Sequence, residues 1–215
     1  MQRIIVVVGS ILSLCLLIAA WMQWTPFSFI EAVGFVTGAV CVYLVIKENI
    51  LNFPIGIVNN IFFLILFTQS RLFGDAGLQI VYVGLGVQGW HQWLRGGKNQ
   101  SQLKLSKSTP TLILLMILFV IIGTAGLMYV LGKVNGSAPL LDSFTTALSL
   151  AAQFLLNRKT LENWFFWMVA DVIYVVLYVS RGLHLTAILY GIFFCMCVAG
   201  FLNWRRMMQS AEEHA

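Results

Sequence analysis

Long apolar runs separated by short polar segments make up almost the whole chain. A segment that crosses lipid must satisfy its backbone polar groups internally, so runs of about 20 apolar residues are helices. We therefore predict eight membrane-spanning helices, over residues 4–24, 28–46, 50–69, 73–94, 110–131, 140–157, 162–180 and 183–204. The pattern indicates an all-α integral membrane protein with a single domain, residues 1–215.

The polar segments between these runs are mostly too short to be anything but turns. The exception is residues 95–110, which carry Gly, Asn, Gln, Ser and Lys without apolar periodicity and are predicted to form a connecting loop. Residues 209–215 are predicted to be a frayed polar tail. The first run also resembles a signal peptide, but its length and the absence of a small-residue cleavage site favour a retained helix.

The chain repeats itself once. Residues 47–95 align with residues 158–206 at a constant offset of 111 and without a gap. The aligned pairs include Asn52 with Asn163, Phe53 with Trp164, Asn60 with Asp171, Gly89 with Gly200, and Trp93 with Trp204. Two copies of one membrane unit form a pseudosymmetric pair with a site between them, as in many carriers.

Each copy extends upstream to three helices, over residues 28–95 and 140–206. Because three is odd, two adjacent copies would point in opposite directions, and helix 110–131 between them restores the direction. The sequence thus predicts a 3+1+3 layout with parallel triple-helix repeats, preceded by an extra N-terminal transmembrane helix at residues 4–24.

Composition narrows the class of protein. The chain is 60% hydrophobic and 10% charged, whereas a soluble domain has about 25% charged residues. Its net charge of +5 does not indicate a nucleic-acid partner, since basic residues between spans record orientation. Ten Lys and Arg fall on one side of the predicted spans and three on the other, which predicts that both termini lie in the cytoplasm.

Enzyme and metal sites are not indicated. The four cysteines lie within apolar runs without a CxxC spacing, which favours a role as small hydrophobic residues. No HExxH, GxSxG or P-loop pattern occurs, and nothing assembles a nucleophile with a base. We expect no catalytic residue, no bound metal and no cofactor.

Polar side chains within spans usually face a bundle interior or a cavity. They are concentrated in the repeated helices and give the candidate solute-binding residues. These are Asn59, Asn60, Gln79, Gln88, Gln153, Asn163, Trp164, Trp167, Asp171 and Tyr190. Trp90, Trp93 and Trp204 end their spans on the basic side, which favours anchoring at the membrane interface.

Asp171 is the sharpest candidate because it lies near the middle of its span. A carboxylate there costs about 2.5–3.5 kcal/mol, which indicates a use. It is either a counter-charge for a cationic solute, a proton-coupling group, or a structural partner of Asn59 or Asn60. Trp164 and Trp167 share its helical face, so they form a slot for a flat cationic ring or anchor the helix at the interface.

These residues resemble those of the Pnu vitamin transporters. The first half matches in Asn52-x-x-x-Gly56-x-x-Asn59, Leu78-Gln79 and Gly89-Trp90-x-x-Trp93. The second half matches in Asp142-Ser143, Gln153, Arg158-Lys159, Glu162-Asn163-Trp164-x-x-Trp167 and Gly200-x-x-x-Trp204. The resemblance spans residues 28–206.

The resemblance implies a 3+1+3 core similar to SWEET sugar carriers, assembled as a homotrimer in the bacterial inner membrane. It implies facilitated diffusion of a vitamin, which intracellular phosphorylation then traps, without ATP or an ion gradient. Family branches carry nicotinamide riboside, thiamine, riboflavin or deoxynucleosides. The binding role carries over to Asn59, Gln79, Trp164, Trp167 and the position of Asp171.

Two positions depart from the family pattern. Some family members have Asn in place of Asp171, and an aromatic residue is usual in place of Gln88. Nicotinamide riboside and thiamine each carry a fixed positive ring, which Asp171 suits, so we expect a small cationic vitamin, nicotinamide riboside first and thiamine second. Proton-coupled transport through Asp171 is an alternative, and a membrane scaffold without a solute is another.

Overall fold

The computed structural model describes residues 2–25, 29–69, 73–132, 139–180 and 184–213. Eight α-helices make up most of these residues. They are α1 (Gln2–Trp21), α2 (Phe29–Ile46), α3 (Asn52–Gln69), α4 (Phe73–Arg95), α5 (Pro110–Gly132), α6 (Pro139–Asn157), α7 (Asn163–Ser180) and α8 (His184–Glu213). The predicted all-α class and its eight helices are confirmed.

The last helix is longer than predicted. α8 continues to Glu213, so the prediction of a frayed tail from residue 209 was wrong over the residues described. The segment after Trp204 holds Arg, Met, Gln and Ala, which favour helix, and contains no Gly or Pro to end it. The side chains of residues 209–213 are exposed, so this extension projects beyond the bundle.

The exposed surfaces of the helices are apolar, as in a protein surrounded by lipid. In the described part of the chain, three helices are long and apolar enough to cross a membrane, at Pro110–Val130, Asn163–Ser180 and Ala187–Glu213. Shorter apolar helices lie at Gly9–Trp21, Ala32–Ile46 and Asn52–Ile65. On α5, side chains such as Leu114, Ile121 and Ile122 are at least 60% exposed. A soluble protein rarely exposes such a surface.

The helices pack in the same pattern in the two halves of the chain. α3 packs against α2 and α4, just as α7 packs against α6 and α8. Between the halves, α2 packs on α8 and α4 packs on α6. These two contacts are equivalent, because α2 corresponds to α6 and α4 to α8 in the repeat. α1 packs on α2 as α5 packs on α6, so the N-terminal helix has a counterpart in the second half.

Two tryptophans join the halves by equivalent hydrogen bonds. Trp93 Nε1 donates to the Leu156 carbonyl oxygen and Trp204 Nε1 donates to that of Val45, both over 3.1 Å. Donors and acceptors are each 111 residues apart. Trp93 and Trp204 are 2% and 0% exposed. The expectation that these two side chains anchor the protein at the membrane surface was therefore wrong, because each is buried against the opposite repeat.

The glycines at two equivalent positions make room for aromatic rings. A Cβ atom on Gly89 would overlap Phe53 and Asn157, and one on Gly200 would overlap the ring of Trp164. Phe53 and Trp164 each pack edge-on against a buried tryptophan, Trp93 and Trp204 respectively, with ring centres 5.0 and 5.3 Å apart. Close helix contact and aromatic packing thus depend on the absence of a side chain.

The predicted connecting loop packs against the buried core cluster that contains Phe53, Trp93, Trp164 and Trp204. The Ser106 backbone N–H donates to the Lys159 carbonyl, and the Leu161 N–H donates back to Ser106. Leu103 and Leu105 pack against the cluster. This docking was not predicted from the sequence, although Leu103 and Leu105 are two residues apart within an otherwise polar segment.

Candidate functional site

A cavity of about 380 Å³ lies between the two halves, with walls from α2, α3, α4, α6, α7 and α8. Seven of the ten predicted site residues line it. They are Asn60, Gln153, Asn163, Trp164, Trp167, Asp171 and Tyr190. Side chains spread over 131 positions of the sequence are thus brought to one chamber, because the repeats face each other across it.

Three predicted residues lie outside the wall. Gln88 is exposed, since it is two residues from the lining Gly86 and therefore on another face of α4. Asn59 turns toward α2, where its Oδ1 accepts a hydrogen bond from Thr37 Oγ1 over 3.0 Å. Gln79 is half-buried and lies one helical turn from the lining Tyr82. The structure gives these three no place in the cavity.

The cavity wall is built from equivalent positions that the two repeats have filled differently. Nine equivalent pairs line it, and eight of them differ between the repeats. In seven of the eight the second repeat has the larger or more polar side chain, the first-repeat residue given first: Gly38 and Ser149, Val42 and Gln153, Val45 and Leu156, Phe53 and Trp164, Gly56 and Trp167, Asn60 and Asp171, Gly86 and Cys197. The eighth pair, Tyr82 and Phe193, has the more polar side chain in the first repeat. The first repeat therefore supplies space, and the second supplies most of the groups that can hold a solute.

Asp171 is the charged group of this wall. It is 6% exposed, and no Lys, Arg, His or other acidic residue is among the described residues that line the cavity. Cys197 Sγ donates a hydrogen bond to Asp171 Oδ2 over 3.5 Å. The structure shows this weak donor rather than Asn59 or Asn60 as its partner. A carboxylate so poorly compensated is costly to bury and suits a cationic ligand.

Two polar atoms of the wall lack partners. Asn163 donates its amide N–H to the Thr160 carbonyl over 2.6 Å, which leaves its Oδ1 as an acceptor. This oxygen and Trp164 Nε1 are buried without a hydrogen-bond partner in the described structure. Trp93 and Trp204, by contrast, both have their N–H groups satisfied. An unmade buried bond costs about 1–3 kcal/mol, which a bound solute or water can offset.

Stacked tyrosines form a second aromatic group beside Asp171. The rings of Tyr174 and Tyr190 are 4.6 Å apart, and those of Tyr178 and Tyr190 are 5.3 Å apart and nearly parallel. Tyr174 and Tyr190 line the cavity. The sequence prediction missed Tyr174 and Cys197. Tyr174 follows Asp171 by three residues and so shares its helical face, whereas nothing local distinguishes Cys197.

Comparisons with known proteins agree with this architecture. The family model for the nicotinamide mononucleotide transporter matches residues 28–206. The nicotinamide riboside transporter PnuC of Escherichia coli (strain K12) is 30% identical over 212 residues, which cover 86% of this chain and 87% of that protein. The riboflavin/roseoflavin transporter RibM of Streptomyces davaonensis is 24% identical over 180 residues, covering 81% of this chain and 83% of that protein.

A solved structure has the same fold. The crystal structure of the vitamin B3 transporter PnuC superposes with a TM-score of 0.68 at 24% sequence identity, covering 94% of this chain and 92% of that one. The relatives are transporters and not enzymes, and the resemblance found in the sequence is confirmed. The chain belongs to the nicotinamide mononucleotide transporter family and is a membrane transporter.

Proposed function

We propose that this protein carries nicotinamide riboside across the bacterial inner membrane by facilitated diffusion, and that phosphorylation inside the cell traps the vitamin. The observation that carries the proposal is a single buried carboxylate, Asp171, in a cavity whose wall also holds Trp167, Tyr174 and Tyr190. The nicotinamide ring of the riboside is a flat, permanent cation. Aromatic faces and a counter-charge together favour such a ring.

The charge of the wall also selects among the substrates named for the relatives. A mononucleotide carries a phosphate, which proteins bind with Lys or Arg side chains or with free N–H groups at helix N-termini. No basic side chain is among the described lining residues. α3 and α7 begin at the wall, but their first two N–H groups already donate to backbone carbonyls, and Asp171 would repel a phosphate. Riboflavin is uncharged and leaves Asp171 without a counter-charge. The riboside fits both the aromatic wall and the carboxylate.

Thiamine is the second candidate, because its thiazolium ring is also a flat permanent cation. Asp171, which occupies the position of Asn60 in the first repeat, favours either vitamin over an uncharged one. The two differ in the polar groups that they carry around the ring. The affinity measurement below separates them.

For the architecture around the transport pathway, we propose two parallel three-helix repeats, α2–α4 and α6–α8. They form a SWEET-like 3+1+3 core in which α5 joins the repeats. The exchange-symmetric packing of α2 on α8 and α4 on α6 supports it. We propose that both termini lie in the cytoplasm, on the side that receives ten of the thirteen Lys and Arg residues. The apolar exposed side of α5 is compatible with lipid or with neighbouring subunits of a homotrimer.

Calorimetric titration of the purified protein tests the substrate. Nicotinamide riboside, nicotinamide mononucleotide, thiamine and riboflavin are titrated separately. We expect the riboside to bind tightest and the mononucleotide weakest. Tightest binding of thiamine would replace the first candidate by the second, and tightest binding of riboflavin or the mononucleotide would contradict the charge argument.

Uptake into liposomes tests the transport mode. With no kinase inside, we expect the internal vitamin to reach the external concentration and stop there, with or without a pH gradient. Accumulation above that level, driven by a proton gradient, would replace facilitated diffusion by proton coupling through Asp171.

A further inference from the structure

Two amide side chains of α6, one behind the other, connect the cavity wall to the opposite repeat. Asn157 is 1% exposed, and its Nδ2 donates to the Leu85 carbonyl oxygen of α4 over 2.8 Å. Because a carbonyl oxygen only accepts hydrogen bonds, the amide of Asn157 has one allowed orientation. Its Oδ1 is therefore an acceptor on the other side, toward Gln153.

Gln153 lies one turn earlier and lines the cavity. Its Nε2 donates to Asn157 Oδ1 over 3.0 Å, so the orientation of its own amide is fixed in turn. In the described structure Gln153 Oε1 accepts no hydrogen bond. The cavity wall consequently presents the carbonyl oxygen of the Gln153 side chain. The orientation of that amide is fixed by two successive hydrogen bonds, from Gln153 to Asn157 and from Asn157 to the Leu85 backbone carbonyl.

This pair of amides occurs in the second repeat alone. The equivalent positions in the first repeat are Val42 and Ile46, which cannot form such bonds. Asn157 also packs closely against Gly89, where an added Cβ atom would overlap its amide. The amide pair is therefore not required by the duplicated fold itself. Like Trp167 and Asp171, the amide pair is a feature of the second repeat without an equivalent in the first, and it is suited to binding a ligand.

We propose that Asn157 is a positioning residue that holds Gln153 as a hydrogen-bond acceptor, so that the transporter selects a vitamin with a donor group at that point. The inference rests on the proposed function. Nicotinamide riboside has such donors in its carboxamide NH₂ and its ribose hydroxyls. Asn157 does not line the cavity, and it acts on the ligand through Gln153.

The test compares affinity ratios, which a merely structural role does not change. Nicotinamide riboside is titrated beside 3-acetylpyridine riboside, in which a methyl group replaces the carboxamide NH₂ without changing the charge, and beside the 2′-, 3′- and 5′-deoxy ribosides, each lacking one donor group. In the unmodified protein we expect one of these analogues to bind about tenfold more weakly, the loss typical of one hydrogen bond. In Asn157→Leu the amide of Gln153 is free to turn, and we expect that ratio to fall below about threefold.

Asn203→Leu is the matched control. Asn203 also donates its Nδ2 to a backbone carbonyl of the opposite repeat, that of Ile46, over 2.8 Å, but it does not line the cavity or contact Gln153. We expect this variant to keep the ratio of the unmodified protein, even if both affinities or the melting temperature change. An equal fall in both variants would overturn the proposal.

Further outcomes are decisive whether or not Asn157→Leu folds. Gln153→Met removes the acceptor and should lower the same ratio to the same value. An unchanged ratio in Gln153→Met, or no analogue weaker than the riboside in the unmodified protein, overturns the inference. If the unmodified protein binds thiamine instead, the proposed riboside fails separately. The comparison is then made with thiamine and its analogue without the pyrimidine amino group.

Discussion

Lys159 donates a hydrogen bond to Glu48 over 2.9 Å, although the two residues occupy the same position in the two repeats, 111 residues apart. Each lies two residues past the end of its helix, α2 or α6, with a positive φ of 51° or 52°. The pseudosymmetry brings two equivalent positions into contact, and their side chains carry opposite charges. Lys159 Nζ also lies 4.4 Å from the ring centre of Trp93.

Breaking this ion pair should destabilise the protein. Their side chains are 8% and 19% exposed, so Glu48→Gln leaves a largely buried ammonium without its counter-charge. We expect a loss of about 3 kcal/mol in the free energy of unfolding, seen as a lower melting temperature in detergent. The double variant Glu48→Lys/Lys159→Glu should recover much of it, because Trp204 at the position equivalent to Trp93 can receive the exchanged lysine. Unchanged melting of Glu48→Gln would show that the pair does not stabilise this end.

Asp171→Asn should weaken the binding of a cationic vitamin. The substitution keeps the size of the side chain and removes the charge of the cavity wall, so we expect about a tenfold loss of affinity or more, measured by calorimetry. Glu162→Gln is the control, because Glu162 accepts a hydrogen bond from the Ser108 backbone N–H and does not line the cavity. Equal affinity in Asp171→Asn and the unmodified protein would remove Asp171 from the binding role.

Trp167→Ala should weaken binding through the loss of an aromatic face. We expect a loss of about 1–2 kcal/mol in binding free energy, with much of it recovered in Trp167→Phe, which keeps a ring. Trp90→Ala is the matched control, since Trp90 is 38% exposed and outside the cavity wall. Similar losses in the Trp167 and Trp90 variants would show a general effect on the fold in place of a contact with the vitamin.

Gly200→Ala should destabilise the protein through a single methyl group. The added Cβ would overlap the ring of Trp164, whereas the same substitution at Gly191 in the same helix meets nothing within 4 Å. We expect Gly200→Ala to lose about 1–3 kcal/mol by overpacking and Gly191→Ala to melt as the unmodified protein does. Melting curves of the two variants, recorded side by side, check this. Coincident curves would mean that Trp164 moves aside without cost.

Local sequence was enough for the helices, the duplication and part of the site. Apolar run length defines a helix without reference to its neighbours, and twelve of the sixteen bounds of the described helices fall within one residue of the predicted bounds. Trp164, Trp167 and Asp171 were found together because spacings of three and four place side chains on one helical face. All three line the cavity.

Tertiary structure decided which face of each helix meets the cavity and which residues meet across the repeats. Gln88 and Asn59 are as polar as Gln153, but the rotation of α4 and α3 turns them away from the chamber. The Trp93 and Trp204 hydrogen bonds and the Lys159–Glu48 pair join positions far apart in the chain. Helical periodicity gives the angle between two side chains of one helix. The rotation of one helix against another is set only by packing, and the sequence pattern does not contain it.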